Sequence, residues 1–394
     1  DKIIEVTNAG ITPWVPSQGS VGACGDLAPL AHLSLVLIGE GRAWFKEKFL
    51  PGNDILRAAG IQPYKLKAKE GLSLINGTQI MTAIGSIVTY TATQLAKIAE
   101  IAGAMSIEAY KGTATAFDAR IQQIRPHPRQ IQVAENMLRL LANSKIAESH
   151  ADCDRVQDPY SFRCIPQVHG ISRETIDYVV PVLEREINAG TDNPLVFPDE
   201  SKDNGGDVIS GGNFHGQYVA MAMDNLAIGL AELANIAENR IQKLINPAIS
   251  GLPAFLIENA GLNSGMMIVQ VAAASLVSEN KVLTHPASVD SIPTSADKED
   301  HVSMGVTAAR KAKQVCKNVQ NVLAMELLCA SQGLEFHQPT RAGTGVQAAY
   351  ECIRSVVKPI TQDRAFHADI EAISELIDNG SLLTAVETAV GKLH

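Results

Sequence analysis

Residues 217–245 read QYVAMAMDNLAIGLAELANIAENRIQKLI, and apolar side chains recur through them at helical spacing. The residues are mainly Ala, Leu, Ile, Met, Glu and Lys with few β-branched runs, a composition that favours helix. The same pattern returns in the long segments 78–111, 171–189, 266–281 and 306–332, and in shorter ones at 345–356, 368–376 and 382–390. Two of these run to nearly thirty residues or more, about 40–50 Å at 1.5 Å per residue, which is longer than a small domain is wide. Helices of that length usually pack in a bundle, often one shared between subunits. The expected architecture is mainly α, a long-helix bundle, with one small β-hairpin pairing 195–197 with 208–210 across a polar turn. No repeat of fixed period points to a solenoid.

The chain has 394 residues, with 33 Lys+Arg against 42 Asp+Glu and a net charge of −9. That balance argues against nucleic acid or an anionic membrane as a partner. Only 19% of residues are charged and 46% are hydrophobic, against about 25% charged in a typical domain. Part of this apolar surface is expected to close a subunit interface. Cys24, Cys153, Cys164, Cys316, Cys329 and Cys352 are scattered with no CxxC pair and no secretory leader, which reads as a reduced, cytoplasmic chain. Apolar stretches such as 268–277 are interrupted, there by Gln270, well before about 18 residues accumulate, so no membrane span is expected. No low-complexity linker divides the chain, and residues 1–394 are taken as a single region. Its opening, Asp1 to Val6, reads like the middle of a helix-loop passage, so an N-terminal portion is expected to be missing.

Residues 19–32, GSVGACGDLAPLAH, carry three glycines at intervals of three, followed by Asp26 and Pro29 at the start of a helical pattern. A phosphate loop fits poorly, because the spacing is neither GxGxxG nor GxxxxGK[ST] and no β-branched strand leads in. A tight turn with a buried thiol is a second reading. A third is a self-cyclising peptide: the Gly25 nitrogen attacks the Ala23 carbonyl carbon, and elimination from residue 24 leaves an exocyclic methylidene. That chemistry wants Gly at the attacking position, a small residue at the attacked carbonyl and a β-leaving group between them, as Ala23, Cys24 and Gly25 supply.

This segment resembles the signature of the aromatic amino acid ammonia-lyases, which build 4-methylideneimidazole-5-one from Ala-Ser-Gly, and later segments match the same family in the same order. The fold implied is the helical bundle of the ammonia-lyase/fumarase-aspartase type. Here Cys24 stands where the family has Ser, and loss of hydrogen sulfide would replace loss of water. In the segment LINGTQ, residues 74–79, Asn76 reads either as a helix cap or, by resemblance, as a neighbour of cofactor and substrate. In RVQDPYSFRC, residues 155–164, a loop gathers Gln157, Tyr160 and Arg163. Arg163 suits a substrate carboxylate; the resemblance sets Tyr160 against the cofactor and Gln157 among the active-site hydrogen bonds. In SGGNFHG, residues 210–216, Phe214 is a core residue or, by resemblance, a wall of the substrate pocket, and His215 reads as structural.

The last match runs from His285 to Gly305 and contains Glu299, Asp300 and His301. Acids at a helix start are a bland account of it. A metal site is weak, since adjacent helical residues diverge and no second His follows at i+4; no metal or nucleotide is expected. By resemblance Glu299 faces the substrate, as in members acting on histidine, whereas relatives acting on phenylalanine or tyrosine carry Gln. A carboxylate suits an imidazole better than an apolar ring. The resemblance therefore implies deamination of L-histidine to trans-urocanate and ammonia, by a homotetramer whose sites draw on three subunits. The base it implies, a loop Tyr aided by a His, lies outside these residues. A phenylalanine or tyrosine ammonia-lyase or aminomutase, and a non-catalytic helical homologue with Cys24 as a free thiol, are the alternatives. Cys24, Asn76, Phe214 and Glu299 each fall near the expected start of a helix, and if those ends converge they form an electropositive pocket.

Overall fold

A computed structural model describes residues 1–152 and 155–394, so Cys153 lies outside the described residues. The chain divides into two compact units, Asp1–Ile87 with Val179–Asp224 and Pro286–Ala312, and Val88–Tyr178 with Asn225–His285 and Lys313–His394. Four of the five divisions fall inside long helices, Gln79–Tyr110, Ile165–Ile187, Gln217–Ile245 and Gly305–Glu335, and none at a low-complexity linker.

In the first unit the helices Lys2–Asn8, Leu27–Leu35 and Gly52–Ala58 accompany a three-stranded antiparallel sheet, Thr12–Pro13 beside Arg42–Phe45 beside Lys48–Pro51. Val6, Ile11, Val36, Leu37, Ala43, Ile55, Leu56 and Ile61 form its core. The sequence reading has no sheet here. The hairpin turn is Lys46-Glu47, both at positive φ (47° and 65°), without the Asn-Gly or Asp-Gly that usually marks such a turn. The expected hairpin is present as Leu195–Pro198 against Gly206–Ile209, with Leu195 opposite Ile209.

The second unit is helical. Gln217–Ile245 has the bounds its periodicity predicts, and the helices Met267–Leu283, Thr344–Arg354, His367–Asp378 and Ser381–Val390 lie within two residues of theirs. Ile165–Ile187 starts six residues earlier than expected, through the polar positions Gln167 and His169. Pro128–Leu140 is a helix the sequence reading lacks, because its buried face mixes Gln130 and Asn136 with Val133, Met137 and Leu140 and so blurs the apolar stripe. Those amides are satisfied: Asn136 donates to Glu100 at 2.7 Å and Gln130 to Gln122 at 2.8 Å. Arg240 and Glu326, both fully buried, pair through two guanidinium nitrogens at 2.5 and 2.9 Å, and Ser106 donates to the same carboxylate at 2.7 Å.

The expectation that no segment is long and apolar enough to cross a membrane needs correction. Gln217–Ile245 meets both criteria, and 67% of its most apolar window is buried within the protein, as in the core helix of a globular chain.

Candidate active site

The glycine-rich turn is pinned from both sides. Gly22 and Gly25 sit at φ 65° and 78°, the left-handed region where glycine is at ease. A Cβ on Gly25 would lie 2.2 Å from the Gly77 carbonyl oxygen, and that oxygen accepts the Asp26 amide at 2.7 Å. Asp26 is fully buried. Burial pushes its carboxyl up to about 6, against the opposing bonds from the amides of Met81 and Ile80 and the Ser20 hydroxyl.

Cys24 points at Glu299, its Sγ–H donating to Oε1 at 2.9 Å. The other carboxylate oxygen accepts the Thr294 hydroxyl at 2.5 Å. Burial, then the bond to Glu299 and the charge of that carboxylate, push the Cys24 thiol up to about 11, while the bonds from Cys24 and Thr294 hold Glu299 below its ordinary range. At neutral pH the pair is a thiol beside a carboxylate. The helix-start account of the acids fails: the helix begins only at Gly305, and Glu299 closes a turn in which its amide and carbonyl both pair with Thr294. Ser295, Ala296 and Asp297 in that turn all take positive φ.

Asn76 is buried but caps no helix; its amide donates to the Asp192 carboxylate at 3.0 Å and to the Asn193 carbonyl at 3.1 Å. Burial works to raise Asp192, but bonds from Lys69, Asn76, the Asn193 amide and Ser73 outweigh it and hold the group at about 2. Phe214 is half-buried in the approach to Gln217–Ile245. Beside it, His215 Nε2 donates to the His301 carbonyl at 3.1 Å and the two imidazoles stack at 5.7 Å.

The expected convergence of helix starts occurs around the fully buried Met81. Added Cβ atoms on Gly22, Gly216 and Gly305 would each meet this side chain, at 3.3, 2.5 and 2.3 Å. Part of the resulting electropositive end is answered within the chain, because Asp26 takes the Met81 amide at 2.9 Å. Gly77, Met81, Thr294 and Ser303 are site residues that sequence reasoning missed. Only the small size of Gly77, next to Asn76, carried a signal.

Gln157, Tyr160 and Arg163 lie in the second unit. The expected loop is a single helical turn at Tyr160–Arg163. Arg163 donates to Gln157 Oε1 at 3.0 Å and stacks 4.6 Å above the Tyr160 ring. Its buried Nε has no partner, and among the described residues its guanidinium carries no ion pair. Arg163 and Gln157 line a cavity of about 360 Å³ with Gln167, whose buried Oε1 is likewise unpartnered. Tyr160, 71% exposed, opens instead onto a cavity of about 630 Å³ with Glu232, Asn235 and Lys243. Among the described residues no three His, Cys, Asp or Glu side chains gather as a metal site, and Cys24, Cys164, Cys316, Cys329 and Cys352 are free.

Helix starts meet around Met81 beside an Ala-Cys-Gly turn faced by a carboxylate, and the family match and relatives make this helical chain a carbon–nitrogen lyase. The chain belongs to the aromatic amino acid lyase family, whose model matches residues 1–355. It is 54% identical to histidine ammonia-lyase of Sorangium cellulosum, covering 100% of this chain and 77% of that one. To the histidine ammonia-lyase of Symbiobacterium thermophilum it is 55% identical, covering 100% and 76%. The crystal structure of histidine ammonia-lyase from Trypanosoma cruzi superimposes with a TM-score of 0.91 at 46% identity, over 99% of this chain and 73% of that one. Tyrosine aminomutase from Streptomyces globisporus gives 0.92 at 37%, over 100% and 77%.

Proposed function

We propose that the protein is a histidine ammonia-lyase, converting L-histidine to trans-urocanate and ammonia on an electrophile made from Ala23, Cys24 and Gly25. The observation that carries this reading is the 2.9 Å contact between Cys24 and Glu299, which sets a charged carboxylate beside the reactive position. The turn suits the 4-methylideneimidazole-5-one group on two counts. Gly25, at positive φ, has no room for a side chain against Gly77, and Cys24 offers sulfur as leaving group. When formed, the group held by Ala23, Cys24 and Gly25 would supply an electrophilic carbon for the substrate amine.

The chain's own residues do the rest. Glu299 accepts an N–H of the substrate imidazole, a bond that a Gln carbonyl would make without the charge. Arg163, whose Nε is unpartnered and whose guanidinium pairs with no acid among the described residues, takes the substrate carboxylate, while Gln157 and Tyr160 hold the guanidinium in line. Asn76 is stiffened by Asp192 and Asn193 beside the turn, and Phe214 walls the pocket. Helix starts around Met81 favour negative charge developing at the site. The assembled enzyme is read as a cytoplasmic homotetramer with sites drawn from several copies. Glu299 favours histidine over phenylalanine or tyrosine as substrate.

The test is the intact mass of the purified protein with the peptide around residues 19–29 mapped, followed by a histidine turnover assay. A deficit of one water plus one hydrogen sulfide at residues 23–25, urocanate production, and loss of both in Cys24→Ala are expected. An unmodified mass with a titratable thiol at Cys24 would instead make the chain a non-catalytic homologue.

A further inference from the structure

We propose that Ser303 is a positioning residue for closure of the 23–25 ring: by gripping the Gly22 carbonyl it orients the Ala23 carbonyl carbon toward the Gly25 nitrogen. The inference rests on the reading of residues 23–25 as a cofactor precursor. Closure of the ring forms a bond between the Gly25 nitrogen and the Ala23 carbonyl carbon. The Ala23 oxygen leaves as water with the amide protons of Gly25 and Cys24, and the Cys24 nitrogen becomes doubly bonded to that carbon. Loss of the Cys24 α-proton with its sulfur, as hydrogen sulfide, leaves the exocyclic double bond, and no external oxidant is required.

An amide nitrogen is a poor nucleophile, so this reaction depends on how closely its two ends are held in a reactive geometry. The downstream end is fixed, since Gly25 lies against Gly77 and the Asp26 amide donates to the Gly77 carbonyl at 2.7 Å. Fixing one end alone leaves the Gly22–Ala23 peptide free to turn and swing the target carbonyl away.

Ser303 fixes the other end. It is fully buried, and its hydroxyl donates to the Gly22 carbonyl at 2.9 Å while accepting the Gly305 amide at 3.2 Å. The backbone runs alongside, with Met304 N–H to the Val21 carbonyl at 2.8 Å and Ser303 N–H to the Gly22 carbonyl at 3.4 Å. Contact is so close that a Cβ on Gly22 would stand 2.2 Å from Ser303 Oγ. Met304 takes φ 56° to permit this pairing, a conformation that costs a side-chain-bearing residue of order 1 kcal/mol or more. A buried hydroxyl with both hydrogen-bonding roles used, next to a strained residue, marks a grip on the turn.

The experiment follows the mass of freshly made, unprocessed protein with time, for the wild type, Ser303→Ala and Ser303→Thr, with helicity and thermal unfolding recorded for each. In folded protein the wild type should lose water and hydrogen sulfide in a first-order process. Ser303→Ala should do so about tenfold more slowly or worse, and Ser303→Thr, which keeps the hydroxyl, near the wild-type rate. A folded Ser303→Ala that processes at the wild-type rate overturns the proposal, as does a folded Ser303→Thr as slow as the alanine variant. Should Ser303→Ala not fold, the threonine variant decides alone: wild-type processing supports the grip, slow processing rejects it. A wild type that never loses mass removes the precursor reading itself, a result distinct from either.

Discussion

At the scale of single residues, Glu299 and Arg163 make the most direct claims. Glu299→Gln keeps the side chain's shape and a carbonyl able to accept the substrate imidazole N–H but loses the charge, so histidine turnover should fall by roughly 10- to 100-fold, about 1.4–3 kcal/mol. An unchanged kcat/KM would mean that another group chooses the substrate. Arg163→Ala should raise KM strongly with a smaller effect on kcat, as steady-state kinetics would report, because a carboxylate contact is made in ground state and transition state alike. Residue types were legible in the sequence at both positions, since a carboxylate and a guanidinium each advertise a chemical partner. Their surroundings were not. The bond between Cys24 and Glu299 spans 275 residues of chain, and nothing in local spacing encodes it. Asn76 looked like a cap because Asn before a helix commonly is one; its carboxylate partner, Asp192, lies 116 residues away.

At the scale of elements, legibility followed the purity of the apolar stripe. Gln217–Ile245 was readable to the residue, whereas Pro128–Leu140 hides behind buried amides and the Arg42–Phe45 and Lys48–Pro51 strands behind an atypical turn. The pattern also does not reveal the charges that long helices carry inward. Arg240 and Glu326 are fully buried, and Ser161 offers its carbonyl to the same guanidinium at 3.3 Å. Glu326→Ala would leave a cation in an apolar interior and should destabilise the second unit by about 3–5 kcal/mol. Replacing both partners together, Arg240→Met with Glu326→Leu, should restore much of that loss in urea unfolding. If the single and double variants unfold alike, the pair is not what holds these helices in register.

At the scale of the whole molecule, the buried carboxyls Asp26 and Glu108 and the half-buried Asp192 contribute to the response to pH. Asp26 at about 6 and Glu108 at about 7 lie above their ordinary values of 3.8 and 4.5 through burial. The folded chain therefore keeps protons that the unfolded chain has lost, and stability declines as pH rises from about 4 through 7. Asp192, held at about 2, acts in the opposite sense: its contribution is complete above about 4 and is lost toward pH 2. Glu108 is 3% exposed and one of its oxygens is unpartnered. Glu108→Gln should flatten the decline between pH 5 and 8 by of order 2–3 kcal/mol in urea unfolding, and an unaltered slope would move its origin elsewhere. The grip of Ser303 on Gly22 joins positions 281 residues apart. On a ribosome adding roughly 5–20 residues per second, the second partner emerges about a quarter to a whole minute after the first. The turn is thus born as ordinary peptide and acquires its chemistry only after most of the message has been read, so a nascent chain halted ahead of Glu299 should carry an inert cysteine.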